Sequence, residues 1–253
     1  MASSAFELDR RFPVAAREGA PRHPAIVRLT HWSTTLCVLA LLVSGIEIVL
    51  SHPRFYWGET GNVLTPALFS IPVPSSRDTV PTGYDYVLPD ANGWSRYMHF
   101  EAAWALVLTS AVYLLWGIFS GHVRRNLLPG AADRSWRALV RDVRNHLRFT
   151  RTAGEDDRSY NLLQRLSYLI VIFGLCPLII WTGLAMSPAF DAALPAAVTV
   201  LGGRQSARTL HFLLSVLLVA FVFVHVVMVW LAGFRRRVAA MITGRVDAHQ
   251  ERL

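Results

Sequence analysis

Four long apolar runs dominate the pattern of hydrophobic and polar positions along the chain. They cover residues 31–50, 98–119, 167–186 and 209–234. A helix rises about 1.5 Å per residue, so about 20 residues cross a hydrocarbon core of ~30 Å. Each run reaches that length. The pattern therefore predicts an all-α, integral-membrane bundle of four helices.

The longest connection, residues 51–96 between the first two runs, is rich in proline and glycine and also carries aromatic residues. Prolines interrupt its short apolar stretch, which therefore reads as loop and not as a fifth span. Disordered segments are poor in aromatic residues. We therefore expect a folded cap or a docking surface on the external side.

A second connection, between the second and third runs, contains an amphipathic stretch at residues 134–149. Its apolar residues recur at helical spacing, with arginines on the other side. Such a pattern favours a helix lying on the cytoplasmic membrane surface. A solvated basic connector is the alternative.

Composition agrees with a membrane location. Hydrophobic residues make up 53 % of the 253 residues, charged residues 17 %, and the mean hydropathy is +0.36. A soluble domain usually carries about a quarter of charged residues.

The positive charge is unevenly distributed along the chain. All 25 basic residues are arginine; 20 lie before the first run, in the middle connection or after the last run, and five in the other two connections. The positive-inside rule then places both termini in the cytoplasm. The net charge of +8 is thereby explained as a topology signal, and no nucleic-acid partner is predicted. No cleavable signal peptide is apparent, so we expect the first run to remain as a helix.

The two cysteines exclude several cofactors. Cys37 and Cys176 both lie inside apolar runs and are interpreted as packing residues. The sequence has no CxxCH motif, which excludes covalent c-type haem, and too few cysteines for iron–sulfur clusters.

Four of the nine histidines belong to the apolar segments: His31, His99, His211 and His225. Ionisable groups inside a bilayer are costly and usually have a partner. The other five histidines lie outside the runs and are expected to be surface residues.

The spacing of these four histidines predicts two pairs. Fourteen residues separate His211 from His225, which corresponds to a rise of about 21 Å and a rotation within about 40° of whole turns. Both rings then project from a similar face at two depths. His99 lies at the depth of His211, and His31 at that of His225. Each pair could hold one haem iron through neutral imidazole nitrogens.

Three of the four histidines are preceded, three residues earlier, by an arginine on the same helix face. Haem propionates need cationic partners, and arginine offers a planar fork for a carboxylate. Propionate contact is one interpretation, and ordinary membrane-flanking arginines are the other. The pairs are Arg28–His31, Arg96–His99 and Arg208–His211.

Other kinds of site find little support. A zinc or iron site needs its ligands close together, but the two predicted pairs are about 20 Å apart in depth. No nucleophile–base arrangement, phosphate-binding loop or dinucleotide fingerprint is present. No catalytic residue is predicted.

These motifs together resemble the bacterial di-haem cytochrome b family of membrane subunits from Ni-hydrogenase, formate dehydrogenase and thiosulfate reductase. The matching stretches are R-L-T-H-W at 28–32, H-F-E-A-A-W at 99–104, Y-N-L-L-Q-R at 160–165 and H-x13-H at 211–225. The resemblance covers nearly the whole chain and implies a single membrane domain over residues 1–253 in the bacterial inner membrane.

The resemblance also implies cofactors. Two haem b groups would be held by the four histidines named above. A quinone, ubiquinone or menaquinone, would bind near the cytoplasmic haem, with Asn161 and Gln164 as the corresponding residues. Asn161 could instead cap the third helix.

Residues 51–62 resemble the subgroup named for thiosulfate reductase, which implies a periplasmic partner of the molybdopterin oxidoreductase type. By this analogy, the chain would be an electron-transfer subunit between the quinone pool and that partner. The alternative is a stand-alone quinone-linked oxidoreductase such as a superoxide oxidase, and a non-redox anchor or transporter is the third class considered.

Overall fold

Four helical segments are long and apolar enough to cross a membrane. The computed structural model of the chain describes residues 23–62, 64–73, 92–128, 140, 144 and 162–244. The spans within it are Ala25–Ser51, Gly93–Phe119, Leu166–Ala185 and Arg204–Leu231. The predicted all-α membrane bundle is confirmed.

The elements follow one another in a simple order. The third span is divided into α3, a π-helical stretch (Ile170–Leu175) and α4, and a second π-helical stretch (Val123–Leu127) follows α2. The bounds are α1 Ala25–Ser51, β1 Arg54–Phe55, β2 Phe69–Ser70, α2 Asn92–Phe119, α3 Leu162–Leu169, α4 Cys176–Ala185, α5 Pro188–Ala193, α6 Pro195–Thr199, α7 Arg204–Leu231 and α8 Phe234–Thr243.

Each of the four spans begins earlier than hydropathy suggests. The helices start at Ala25, Asn92, Leu162 and Arg204, five or six residues before the corresponding apolar runs. At the other end α7 stops at Leu231, and Gly233 turns the chain in the left-handed region with φ 95°. The last apolar run, which extends to residue 234, is therefore divided between two helices.

The bundle consists of two helical hairpins. α1 packs along α2, and α4 packs along α7. We call the end where α1 stops and α2 and α7 begin the loop end. The opposite end, where α1 begins and α7 stops, is called the terminal end.

Residues 52–62 and 64–71 fold at the loop end, and we call these residues the loop cap. β1 and β2 pair antiparallel, with Arg54 opposite Ser70 and Phe55 opposite Phe69. The Phe55 ring stacks 4.8 Å from the Phe69 ring and lies 4.5 Å from that of Phe212 on α7. The loop cap is therefore anchored on the bundle by an aromatic cluster.

Hydrogen bonds join the loop cap to the first turn of α7. The first N–H groups of a helix have no partner within it. Here the carbonyl of Gly58 accepts from the backbone N–H groups of Gln205 (3.0 Å) and Ser206 (3.2 Å). Thr209 Oγ1 donates to the carbonyl of Tyr56 over 2.7 Å. The described part of this long connection is thus folded.

At the terminal end, α8 folds back onto the start of α1. Arg28 Nη1 donates to the carbonyl of Ile242 over 2.5 Å, and Trp32 Nε1 donates to that of Met241 over 3.3 Å. This short helix was not predicted. Of the predicted amphipathic helix at 134–149, only Val140 and Arg144 are described, and both are helical; the remainder lies outside the described residues.

The third span widens just before its proline. Proline lacks a backbone N–H and its ring clashes with the preceding turn. The π-helical stretch Ile170–Leu175 lies directly before Pro177, and such a stretch changes the rotation of the helix that follows. This determines which face α4 presents to α7.

Candidate functional site

Inside the bundle, histidine rings from neighbouring helices lie close together in two pairs. His99 on α2 and His211 on α7 have ring centres 6.3 Å apart, with an interplanar angle of 67°. His31 on α1 and His225 on α7 have ring centres 6.4 Å apart, with an angle of 53°. The structure brings together the same pairs that the sequence spacing indicates.

α7 contributes one ring to each pair. Its two histidines are separated by 14 residues, a rise of about 21 Å, so the pairs lie at two depths. The His99–His211 pair lies towards the loop end, since each ring is seven residues into its helix. The His31–His225 pair lies towards the terminal end.

The ring of His99 is held by a hydroxyl of the neighbouring helix. Ser44 Oγ lies 3.0 Å from His99 Nδ1. The same hydroxyl donates its proton to the carbonyl of Ala40 over 2.7 Å, so towards the ring it acts as acceptor. With the hydroxyl proton donated to the Ala40 carbonyl, His99 Nδ1–H is the donor to Ser44 Oγ, and Nε2 keeps a lone pair for a ligand.

The ring of His211 is held in the same way from α4. Its Nδ1 lies 3.0 Å from the carbonyl of Ile179 and 3.1 Å from Thr182 Oγ1. A carbonyl can only accept, and Thr182 Oγ1 donates to the carbonyl of Leu178 over 2.8 Å. His211 Nδ1 is thus the donor, and its Nε2 is the unprotonated nitrogen.

A glycine accompanies each of these hydroxyls. A Cβ atom on Gly45 would lie 3.6 Å from His99 Cε1, and one on Gly183 would lie 3.2 Å from His211 Cε1. The first distance is an ordinary contact and the second is tight. The missing side chain on α4 therefore makes room for the His211 ring.

Comparison with known proteins decides the family. The model of the prokaryotic cytochrome b561 family matches residues 22–244. The chain belongs to the prokaryotic cytochrome b561 family. It is also 33 % identical over 227 residues to a protein of Azospira oryzae provisionally named protein-methionine-sulfoxide reductase subunit YedZ1, covering 88 % of this chain and 96 % of the relative.

Membership of this cytochrome family implies haem b, and the histidine pairs fit that group. Metal–imidazole bonds are roughly 2.0 Å long, so two imidazoles on opposite sides of one ion have ring centres about 6 Å apart. The observed separations of 6.3 and 6.4 Å agree. Within the described residues, no three His, Cys, Asp or Glu side chains converge as a metal-binding group. Each site thus offers two imidazoles, which is the donor set of a bis-histidine haem.

The predicted propionate partners lie at both ends of this cytochrome. At the loop end, Arg208 Nη2 donates to the carbonyl of His52 over 2.5 Å, and its guanidinium carbon lies 5.0 Å from the centre of the Phe55 ring. Arg96 acts electrostatically on the same histidine. At the terminal end, Arg28 binds the carbonyl of Ile242, as described above. The loop-end arginines therefore lie in one cluster, and Arg28 has a bond to α8.

Three histidines that were expected at the surface, His23, His52 and His122, are half-buried. Burial lowers the pKa of His52, and the positive charges of Arg208 and Arg96 lower it further. Burial likewise lowers the pKa of His122, with a contribution from Arg125. The His122 ring lies 5.0 Å from that of Trp116, so it packs beyond the end of α2.

The predicted quinone residues are placed only in part. Gln164 lies within α3, and Asn161 lies outside the described residues, directly before the first residue of that helix. Their part in quinone binding remains a prediction.

Sequence reasoning missed the residues that hold the histidine rings. Ser44 and Thr182 are almost completely buried, with 0 % and 1 % of their surface exposed. The sequence does contain a pattern that distinguishes these residues. Inside the apolar runs, a hydroxyl residue directly precedes glycine at two places, Ser44–Gly45 and Thr182–Gly183.

Proposed function

We propose that this cytochrome is a di-haem electron-transfer subunit, in which His99 with His211 and His31 with His225 each hold one haem b. The observation that carries this proposal is the presence of two facing imidazole pairs, 6.3 and 6.4 Å between ring centres, at two depths of one bundle. Haem b, when bound, supplies an iron that accepts and releases single electrons.

The histidines and their helices would do the protein's part of this work. α7 fixes the distance between the two sites, since it carries one ligand of each. The bundle keeps the imidazoles neutral and out of water, and therefore available as ligands. No catalytic residue is required for electron transfer of this kind.

We place the loop end on the periplasmic side of the bacterial inner membrane and both termini in the cytoplasm, from the distribution of arginines. A C-terminal alkaline phosphatase fusion should then be inactive, and a fusion within the loop cap active. The reverse pattern would contradict this orientation.

We propose that electrons enter from a quinol at the terminal end, near Asn161 and Gln164, and leave to a periplasmic oxidoreductase at the loop end. The direction follows the name of the Azospira relative, which describes it as a reductase subunit. On the loop cap, Trp57, Leu64 and Leu68 are exposed apolar residues. Such residues are typical of a docking surface, and we propose a molybdopterin-type partner there.

The experiment is a redox-titrated visible spectrum of the purified full chain, with haem content per chain. We expect two b-type components. His99→Ala and His211→Ala should remove the same component, and His31→Ala and His225→Ala the other. The matched control is His122→Ala, which changes a histidine outside both pairs and should leave both components in place.

Absence of b-type bands, or four variants that do not group into these two pairs, would reject the proposed ligand sets. A partner-free activity would contradict the subunit function in a different way. If the isolated chain reduced quinone with superoxide, the stand-alone oxidoreductase would be favoured.

A further inference from the structure

The two histidine pairs differ in what surrounds them. In the His99–His211 pair both Nδ1 atoms have hydrogen-bond acceptors on the neighbouring helices. In the His31–His225 pair, Nδ1 of His31 is buried and finds no hydrogen-bond partner among the described residues. The rings near the loop end are therefore restrained, whereas that of His31 is not restrained through this atom.

The restraint is built twice, from the same two-residue unit. Ser44–Gly45 on α1 faces His99 on the adjacent α2, and Thr182–Gly183 on α4 faces His211 on the adjacent α7. In each unit the hydroxyl also donates to the carbonyl four residues earlier in its own helix. When the hydroxyl proton is used in that bond, the oxygen is presented to the ring as an acceptor.

We infer that Ser44 and Thr182 are positioning residues for the iron site near the loop end, and that Gly183 lets the His211 ring reach Thr182. This inference rests on the proposed function, because it assigns these three residues to one of its two haem sites. By accepting a hydrogen bond from Nδ1–H, the hydroxyls favour the tautomer in which Nε2 is the ligand atom in both histidines.

The hydrogen bonds should also tune the iron. An acceptor on the far nitrogen makes an imidazole a more basic ligand. A more basic ligand stabilises the oxidised iron and lowers its midpoint potential. Removing an acceptor should therefore raise the potential of this site and leave the other unchanged.

The two histidines should respond to different degrees. Ser44 supplies the acceptor that the structure gives for His99, whereas His211 retains the carbonyl of Ile179 when Thr182 is changed. Ser44→Ala should thus raise the potential more than Thr182→Val. The conservative variants Ser44→Thr and Thr182→Ser keep a hydroxyl and should restore the unmutated value.

The chain supplies matched controls for the loss of a hydroxyl that bonds its own helix backbone. Thr35 Oγ1 donates to the backbone carbonyl of His31 over 2.9 Å, and Ser215 Oγ donates to that of His211 over 2.7 Å. Each lies one turn from a proposed ligand and bonds its backbone, with no bond to the ring. Thr35→Val and Ser215→Ala should therefore leave both potentials unchanged.

Substitutions of the two glycines provide an independent test. Gly183→Ala places a methyl group 3.2 Å from the His211 ring and should displace it, whereas Gly45→Ala meets His99 at an ordinary 3.6 Å. We expect Gly183→Ala to lower the occupancy of this haem site or change its low-spin spectrum, and Gly45→Ala to leave both intact.

The test uses the haem-loaded full chain and measures midpoint potentials, haem content and the low-temperature electron paramagnetic resonance spectrum. The affected component is recognised because His211→Ala removes it.

The inference is supported if Ser44→Ala, and less strongly Thr182→Val, raise the midpoint potential of this component while the controls do not. It is overturned if both components keep their unmutated values, or if the other component shifts. If the unmutated protein has no b-type bands, the proposed function is rejected as well. If it has two normal components whose midpoint potentials do not change in the variants, this inference alone is rejected.

Discussion

Arg28 near the start of α1 donates from Nη1 to the carbonyl of Ile242 near the end of α8, over 2.5 Å. The bond joins residues 214 positions apart and holds the last described helix against the first. A positive side chain at the C-terminal end of a helix also interacts favourably with the helix dipole. Arg28 therefore has a structural role at the terminal end in addition to the propionate contact that the sequence suggests.

Arg28→Ala should destabilise the terminal end. We expect the free energy of unfolding to fall by about 1–2 kcal/mol, because the hydrogen bond between the charged donor and its carbonyl acceptor is lost. The loss should be visible as a lower thermal midpoint in detergent. Arg124→Ala is the matched control, since it removes an exposed arginine beyond the end of α2 and should have little effect. If Arg28→Ala removed a haem component without lowering the midpoint, the propionate role would be the principal one.

Thr209→Val should loosen the loop cap. The Thr209 side chain is completely buried, and its hydroxyl bonds the carbonyl of Tyr56. The variant leaves a buried acceptor unpaired, at a cost of about 1–3 kcal/mol. Thr199→Val is the control, because that exposed hydroxyl donates to the carbonyl of Pro195 in its own short helix. Equal thermal midpoints for the two variants would show that the Tyr56 bond contributes nothing to stability.

Gly203→Ala should be more damaging. Gly203 has φ 103°, and a Cβ atom there would lie 2.8 Å from the carbonyl carbon and oxygen of Gly58 and within overlap distance of the Glu59 carboxylate. Backbone strain and steric overlap together should cost more than about 2 kcal/mol. By contrast, Gly93→Ala meets no atom within 4 Å in the first turn of α2 and should be neutral or slightly stabilising. Proteolysis of the loop cap provides a second measurement.

His52 should make stability depend on pH. Its pKa is lowered in the folded protein by burial and by Arg208 and Arg96, from an ordinary value of 6.5. Below about pH 6.5 the unfolded chain therefore binds a proton that the folded protein does not, and the free energy of unfolding falls as pH falls.

The measurement is the thermal midpoint of the unmutated protein and of His52→Gln between about pH 7.5 and pH 5.5. The drop on acidification should be smaller in the variant. His122 contributes with the same sign, since its pKa is also lowered, so the double variant should be the least sensitive. An unchanged drop in His52→Gln would show that its pKa is not displaced.

Much of the bundle could be predicted because its determinants are local. Membrane spans follow from the length of apolar runs, and the pairing of histidines follows from a 14-residue interval along one helix. Both patterns can be read within single segments. The prediction of which rings face each other therefore needed no knowledge of the neighbouring side chains.

The residues around the rings were not predictable in the same way. Whether Thr182 faces His211 depends on the rotation of α4, and the π-helical stretch before Pro177 changes that rotation. A regular helical wheel drawn through the third span does not include this change. Likewise α8 is too short and too rich in arginine to register as an apolar run, although its bond to Arg28 is specific.

Among the described residues, the most completely buried aromatic side chains, Phe55 and Tyr56, lie outside the membrane spans, with 2 % and 1 % of their surface exposed. The spans themselves bury few of their residues within the protein. Water therefore drives the folding of the loop cap, whereas packing, hydrogen bonds and lipid hold the helices together. Urea should accordingly open the aqueous segment of this cytochrome first, while harsh detergent should separate the hairpins beneath it.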